Sequence, residues 1–102
     1  MHAHINQFTL KSGSELPRES TDRWRATIER QPGFVGFLSL REQDEANHVM
    51  IVTLWESVEA AHQWGQNPDF VHMRDTEIEP AISDWKITHA TVEAADLNKI
   101  SV

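Results

Sequence analysis

Three residues place polar or reactive groups where a plain core or surface has little use for them. Asn6, in "INQFTL", falls inside a stretch that reads as a β-strand, where asparagine is depleted. Its amide either satisfies a neighbouring backbone group or offers a donor and an acceptor to something bound. Trp64, in "HQW", follows Ala60 by four residues, so the two share a helix face. Its ring suits a helix-to-sheet core, and its indole N–H can donate to a ligand. His72 is one of six histidines. It is a candidate base near neutral pH, although a helix-surface histidine is the commoner outcome. His2 and His4 share a strand face at i, i+2, a spacing that chelates metal weakly, but no carboxylate or cysteine completes the set, so no metal site is expected. Trp24, on a sparsely apolar helix, and Trp55, ending an apolar strand, read first as core or interface and second as pocket wall.

Composition bounds what these residues can belong to. The chain has 102 residues, one domain's worth, enough to bury roughly 60 to 70% of its unfolded surface. No apolar run approaches the roughly 20 residues of a spanning helix. The opening Met1-His2-Ala3-His4-Ile5 lacks a basic segment followed by an apolar run, so no signal peptide is expected, and a cytoplasmic location follows. The sequence has no cysteine, which excludes disulfides, thiol nucleophiles and iron–sulfur ligation. Sixteen acids against nine bases give a net charge of −7, which argues against nucleic acid and anionic membranes as partners. The acid-rich "EQDEAN" and "RDTEIE" read as solvated surface.

The elements that must position the candidates follow from pattern and punctuation. "HAHINQFTLK" predicts a first strand with His4, Asn6, Phe8 and Leu10 on one face. After a break at Gly13 and Pro17, a helix is expected from about Ser20 to Arg30, stopped by "QPGF". A strand over 34–41, a polar turn and a strand through "HVMIVTLWES" form a hairpin. Ser57 is placed to cap a helix from Val58 to about Gly65. Asn67-Pro68 restarts a helical segment to about Thr76. A last strand covers about 84–93. The domain is assigned to residues 1–93 and a loose tail to 94–102. The order is βαββαβ: an α+β, ferredoxin-like antiparallel sheet with two helices on one face. The third strand is apolar on both sides, with Val49, Ile51, Thr53 and Trp55 against Met50, Val52 and Leu54. Helices cover only one side, so the other is expected to pack on a second copy as a homodimer.

"QPGFVGFLSL", "IVTLWESVEAAHQW" and "NPDF", in that order and spacing over roughly residues 3 to 92, resemble the antibiotic biosynthesis monooxygenase (ABM) superfamily. The resemblance implies a dimeric α+β barrel and oxygen insertion without flavin or a dedicated metal. Within that superfamily the haem-degrading branch has a first-strand Asn matched by Asn6 and a helix Trp matched by Trp64. Its axial His falls three or four positions after the residue matched by Phe70, a slot holding Met73 or Arg74 here. His72 lies one or two positions early, which turns it by roughly 100 to 200° on a helix.

The expected activity is cofactor-independent oxygenation of a small aromatic or quinol-type molecule. Asn6 and Trp64 would hold a substrate oxygen, His72 would act as base, and Phe8, Trp24, Phe37, Trp55, Met73 and Arg74 would line the pocket. Haem degradation, with haem as substrate, is the enzymatic alternative. A non-catalytic dimeric ligand-binding or stress-response protein is the third reading.

Overall fold

A computed structural model describes residues 1–96; most of the expected tail, 94–102, lies outside the described residues. Four strands and three helices follow in chain order: β1 (His2–Leu10), α1 (Arg18–Ile28), β2 (Phe34–Arg41), β3 (His48–Trp55), α2 (Val58–Gly65), α3 (Pro68–Met73) and β4 (Ile82–Thr91). A π turn, Arg74–Ile78, and a 3₁₀ turn, Glu79–Ala81, join α3 to β4. The sheet is antiparallel in the order β2-β3-β1-β4, the ferredoxin-like arrangement. Local chemistry sets the boundaries. Ser57 caps α2, its side chain accepting from the Ala60 N–H; Asn67 does the same for Asp69 at the start of α3, where Pro68 takes the first helical position.

Strand alternation separates two faces of different character. Val49, Ile51 and Trp55 turn inward, joining Phe8, Leu10, Trp24, Ile28, Trp64 and Phe70 in one core between sheet and helices. Trp55 has no exposed surface, and its Nε1 donates to Thr53 Oγ1 at 2.9 Å. On the outer face, Met50 pairs with Leu40 and Val52 with Leu38, and Met50 and Leu40 are left 36% and 41% exposed. A hollow of about 300 Å³ on this side is lined by Gln7, Thr9, Leu40, Met50, Asp84 and Lys86, among others. The two-sided apolar pattern of β3 therefore means what its spacing says: one side is core, and the other is open aliphatic surface in the single chain.

Gly33 holds the α1–β2 turn. Its φ of +80° lies in the left-handed region, and a Cβ there would stand 2.7 Å from the Ala60 Cβ of α2. Gly13 also has positive φ, +77°, but faces open space. Gly13→Ala should therefore cost only conformational strain, about 1 to 2 kcal/mol. Gly33→Ala adds a backbone-to-helix clash and should cost about 1 to 3 kcal/mol more, read as the difference in denaturant midpoints. Equal costs at the two sites would refute the packing role of Gly33.

Candidate functional site

The helix-facing side of the sheet is covered unevenly. Ile87 on β4 faces this side opposite Asn6, yet it is 49% exposed. The uncovered strip is the floor of an open cleft of about 270 Å³, bounded by α2, the start of α3 and β4. Ala61, Phe70, Trp85 and Ile87 supply apolar walls; Gln66, Arg74 and the imidazoles of His4, His62 and His89 supply the polar groups. Among the described residues, no carboxylate lines it.

Asn6 is on a central strand, 5% exposed, immediately beside this floor. Trp85 Nε1 donates to its Oδ1 at 2.9 Å, which fixes the amide orientation because an indole N–H can only donate. Trp85 is itself placed by the register Phe8↔Trp85 and by a tilted contact with Phe8 at 5.4 Å. The Asn6 NH₂ makes no hydrogen bond among the described residues and is not sealed in the interior. Trp64, 3% exposed, packs behind the cleft wall, with ring centroids 5.3 Å from Phe70 and 6.5 Å from Trp55.

The remaining sequence candidates separate. Arg74 lines the cleft, its Nε donating to Asp75 Oδ1 at 3.0 Å. Phe8 and Trp55 are sealed in the core and Phe37 packs against it. Trp24 stacks on Phe70 at 6.2 Å and, with Met73, borders a narrow recess of about 10 Å³ beside Leu16 and Ile78. His72 is not brought to Asn6 and Trp64. It lies in a different surface hollow with Arg23, Thr27, Asp69 and Glu77. The helical phase explains this: two positions along a helix is about 200°, so when Arg74 faces the cleft His72 faces away.

Sequence reasoning missed Trp85, His62 and His89. The signal was present as the alternation Trp85, Ile87, His89, but only the strand order reveals that this row lies beside His4 and Asn6. It also missed that Glu42, Glu45 and His48 bring three possible ligand atoms within 4.8 Å of one another. His48 Nδ1 is 3.0 Å from Glu42 and 2.9 Å from Glu45, an exposed cluster at the turn of the β2–β3 hairpin.

Comparison with known proteins places this geometry. A family model for antibiotic biosynthesis monooxygenases matches residues 1–76, and the chain belongs to that family. It is 39% identical over 66 residues to a haem oxygenase (mycobilin-producing) of Mycobacterium tuberculosis, over 63% of this chain; the match spans 62% of that relative's length. Among solved structures, SnoaB of Streptomyces nogalater, a cofactor-independent oxygenase, is 25% identical with a TM-score of 0.76, covering 92% of this chain and 94% of its own. MhuD with manganese protoporphyrin IX bound is 24% identical with a TM-score of 0.71, covering 94% and 98%. A protein of Nitrosomonas europaea shares the fold at 17% identity, with a TM-score of 0.80, 92% of this chain and all of its own. Among the described residues, no helix is long and apolar enough to cross a membrane.

The histidines carry a measurable consequence. Burial, reinforced by the imidazoles of His89, His2 and His62, lowers His4 from its ordinary 6.5 to about 4. Burial and the same kind of neighbours, with the amino terminus, also lower His2. The folded chain thus takes up protons less readily than the unfolded one. Stability should be greatest above about pH 6.5 and fall as the pH drops towards 4. Between pH 7.5 and 4.5, His4 should account for about 2 to 3 kcal/mol of that fall. Chemical denaturation at both pH values checks this, and a pH slope undiminished in His4→Leu would count against it.

Proposed function

We propose that the chain is a monooxygenase whose substrate is a small planar aromatic hydroxyl compound held in the α2–β4 cleft. The single observation that carries this reading is the Trp85–Asn6 hydrogen bond, which leaves an oriented amide donor beside an apolar, partly aromatic cleft that no acid lines. A deprotonated aromatic hydroxyl compound is electron-rich enough to reduce oxygen itself, so the protein need only bind, orient and exclude water. For 1-naphthol the balance is one O₂ consumed. One oxygen atom enters at the ring carbon opposite the hydroxyl, whose C–H becomes C=O. The two hydrogens lost, one from that carbon and one from the hydroxyl, carry two protons and two electrons to the second oxygen atom, which leaves as water. Asn6 holds the substrate oxygen, Phe70, Trp85 and Ile87 flank the ring, and Trp64 backs the wall behind Phe70. No bound cofactor or metal takes part in this reading, and the family resemblance to SnoaB supports it.

The 39% identity to a haem oxygenase and the fold shared with MhuD favour haem as a second reading. Against it stands the α3 face presented to the cleft. Arg74, at the C-cap of α3, takes the position there; it stays protonated and has no lone pair for iron, while His72 lies in another hollow.

The protein acts, in this proposal, as a homodimer formed through the outer face of the sheet. Leu38, Leu40, Met50, Val52 and Leu54 form an aliphatic surface whose burial would stabilise association by about 25 cal/mol per Å² before association costs. Sedimentation should show a dimer at micromolar concentration, and Met50→Lys with Leu40→Lys should shift it to monomer. A folded wild-type monomer would remove the idea.

Oxygen uptake and quinone formation with 1-naphthol test the oxygenase reading. Asn6→Ala should weaken naphthol binding by about 1 to 3 kcal/mol. Haem should bind only in the micromolar range or more weakly, no better than about −8 kcal/mol. Tight haem binding with turnover on adding a reductant would invert the ranking of the two readings, most directly if its Soret band vanished in His72→Ala.

A further inference from the structure

Four of the six histidines gather at one end of the cleft, and the proposed binding of a ring does not by itself account for them. His2 and His4 come from β1, His89 from β4 and His62 from α2. His4 and His89 lie flat against each other, with centroids 4.7 Å apart and planes 7° apart. His62 meets His89 edge-on at 5.6 Å and 85°. His2 Nε2 is 2.9 Å from His89 Nδ1. The register imposes the grouping, since His4 is directly opposite His89 and His2 follows two residues along the same face. The amino terminus bears on His2, and Arg74, its Nε paired with Asp75, shares the cleft lining with His4, His62 and His89. Among the described residues, no aspartate or glutamate is on this lining.

We propose that His89 is the base that takes the hydroxyl proton of the aromatic ligand, and that His2 positions it, so that the cleft holds the ligand as its anion. This rests on the proposed use of the cleft. In the tautomer this proposal assigns, His89 Nδ1 donates to His2 Nε2 across their 2.9 Å contact and the His89 Nε2 lone pair is free; His89 is an exposed lining residue that a ligand in the cleft would cover. The ligand O–H bond breaks, its proton moves to His89 Nε2, and its electron pair stays on oxygen. His89 becomes an imidazolium whose Nδ1–H still donates to neutral His2. His4, buried at 7% exposure and held neutral down to about pH 4, adds no second positive charge and gives the imidazolium a neutral π face. The Arg74 guanidinium and the Asn6 NH₂ favour the oxyanion thus formed. His2 acts here as a positioning residue, in the manner of the group that orients a catalytic base through its far nitrogen.

A nitronaphthol whose hydroxyl titrates in the working range, about pH 5 to 8, reports its own ionisation by absorbance and tests this on the full chain. In the wild type the bound probe should ionise about one pH unit lower than the free probe, a roughly ten-fold shift. Because His89 keeps the proton, weakly buffered solution should register no matching proton release. His89→Gln should remove most of the shift while binding persists, and His2→Ala should shrink it and move its pH midpoint. An ionised fraction unchanged in His89→Gln, or a full proton released to the buffer on wild-type binding, overturns the assignment. Ile87→Arg, which fills the cleft, separates the two levels. If the probe does not bind, or binds regardless of Ile87→Arg, the cleft reading fails and this inference with it. Sensitivity to Ile87→Arg with a neutral bound probe sinks His89 alone.

Discussion

The helix layer does not cover the whole sheet, and the candidate site exists because of that shortfall. The core formed by Trp24, Ile28, Trp64, Phe70 and Ile78 closes over β1 and β3, where Phe8, Ile51 and Trp55 are buried. β4, the edge strand on the far side of β1, keeps its helix-facing residues Ile87 and His89 exposed. An edge strand with one open face would usually blunt that face with charge. Here it carries Trp85, Ile87 and His89 in alternate positions, next to Asn6 and His4 of the central strand. The row is too apolar to be ordinary solvated surface and too polar to be unfinished core, which is the composition of a ligand floor.

Polar groups on the buried side of a central strand are expensive, and the structure satisfies them unequally. Asn6 has its carbonyl bonded to Trp85, and Thr53 sits between the Trp55 indole and the His4 carbonyl. His4 Nδ1, by contrast, is buried with no partner among the described residues, as is Trp24 Nε1. Each such orphan costs about 1 to 3 kcal/mol. A neutral imidazole lessens the loss because it avoids burying a charge, and the face-to-face contact with His89 returns some packing energy. The same neutrality that makes His4 tolerable in the core is what fits it to lie against a neighbour that gains and loses a proton.

How much of this was legible in the sequence depended on the range of the interaction. Strand and helix identities are local matters, and Ser57, Asn67-Pro68 and Pro32-Gly33 announced their boundaries directly. The two-faced composition of β3 was legible as well, because period-2 alternation is written into consecutive residues. The orientation of residues 72–74 needed helical phase across the Asn67-Pro68 break, and the continuation of α3 into a π turn at Arg74 has no sequence signature of its own. Placing His72 on the cleft was an inference from residue type; phase puts Arg74 there instead. His89 and Trp85 were harder still, because their neighbours are set by strand order. Nothing between residues 4 and 89 says that those two histidines are Cα partners.

The two faces of the sheet give substitutions one residue apart different consequences. On β3, Ile51 points to the core and Met50 to the open aliphatic face. On β1, Asn6 points to the cleft side, while Ile5 and Gln7, the partners of Val52 and Met50, point to the outer one. The outer face can therefore change its aliphatic content without moving an atom of the cleft, and the cleft can change its polar groups without altering the outer face. What couples them is the pairing of β1 with both neighbours. A one-residue slip against β4 would exchange His89 and Ile87 for Thr88 and Lys86, turning the His89 imidazole outward and a lysine inward. The core contacts of Phe8 and Trp85 across that strand pair hold the register. The packing that stabilises the domain is thus also what keeps His89 beside His4 and Trp85 within reach of Asn6.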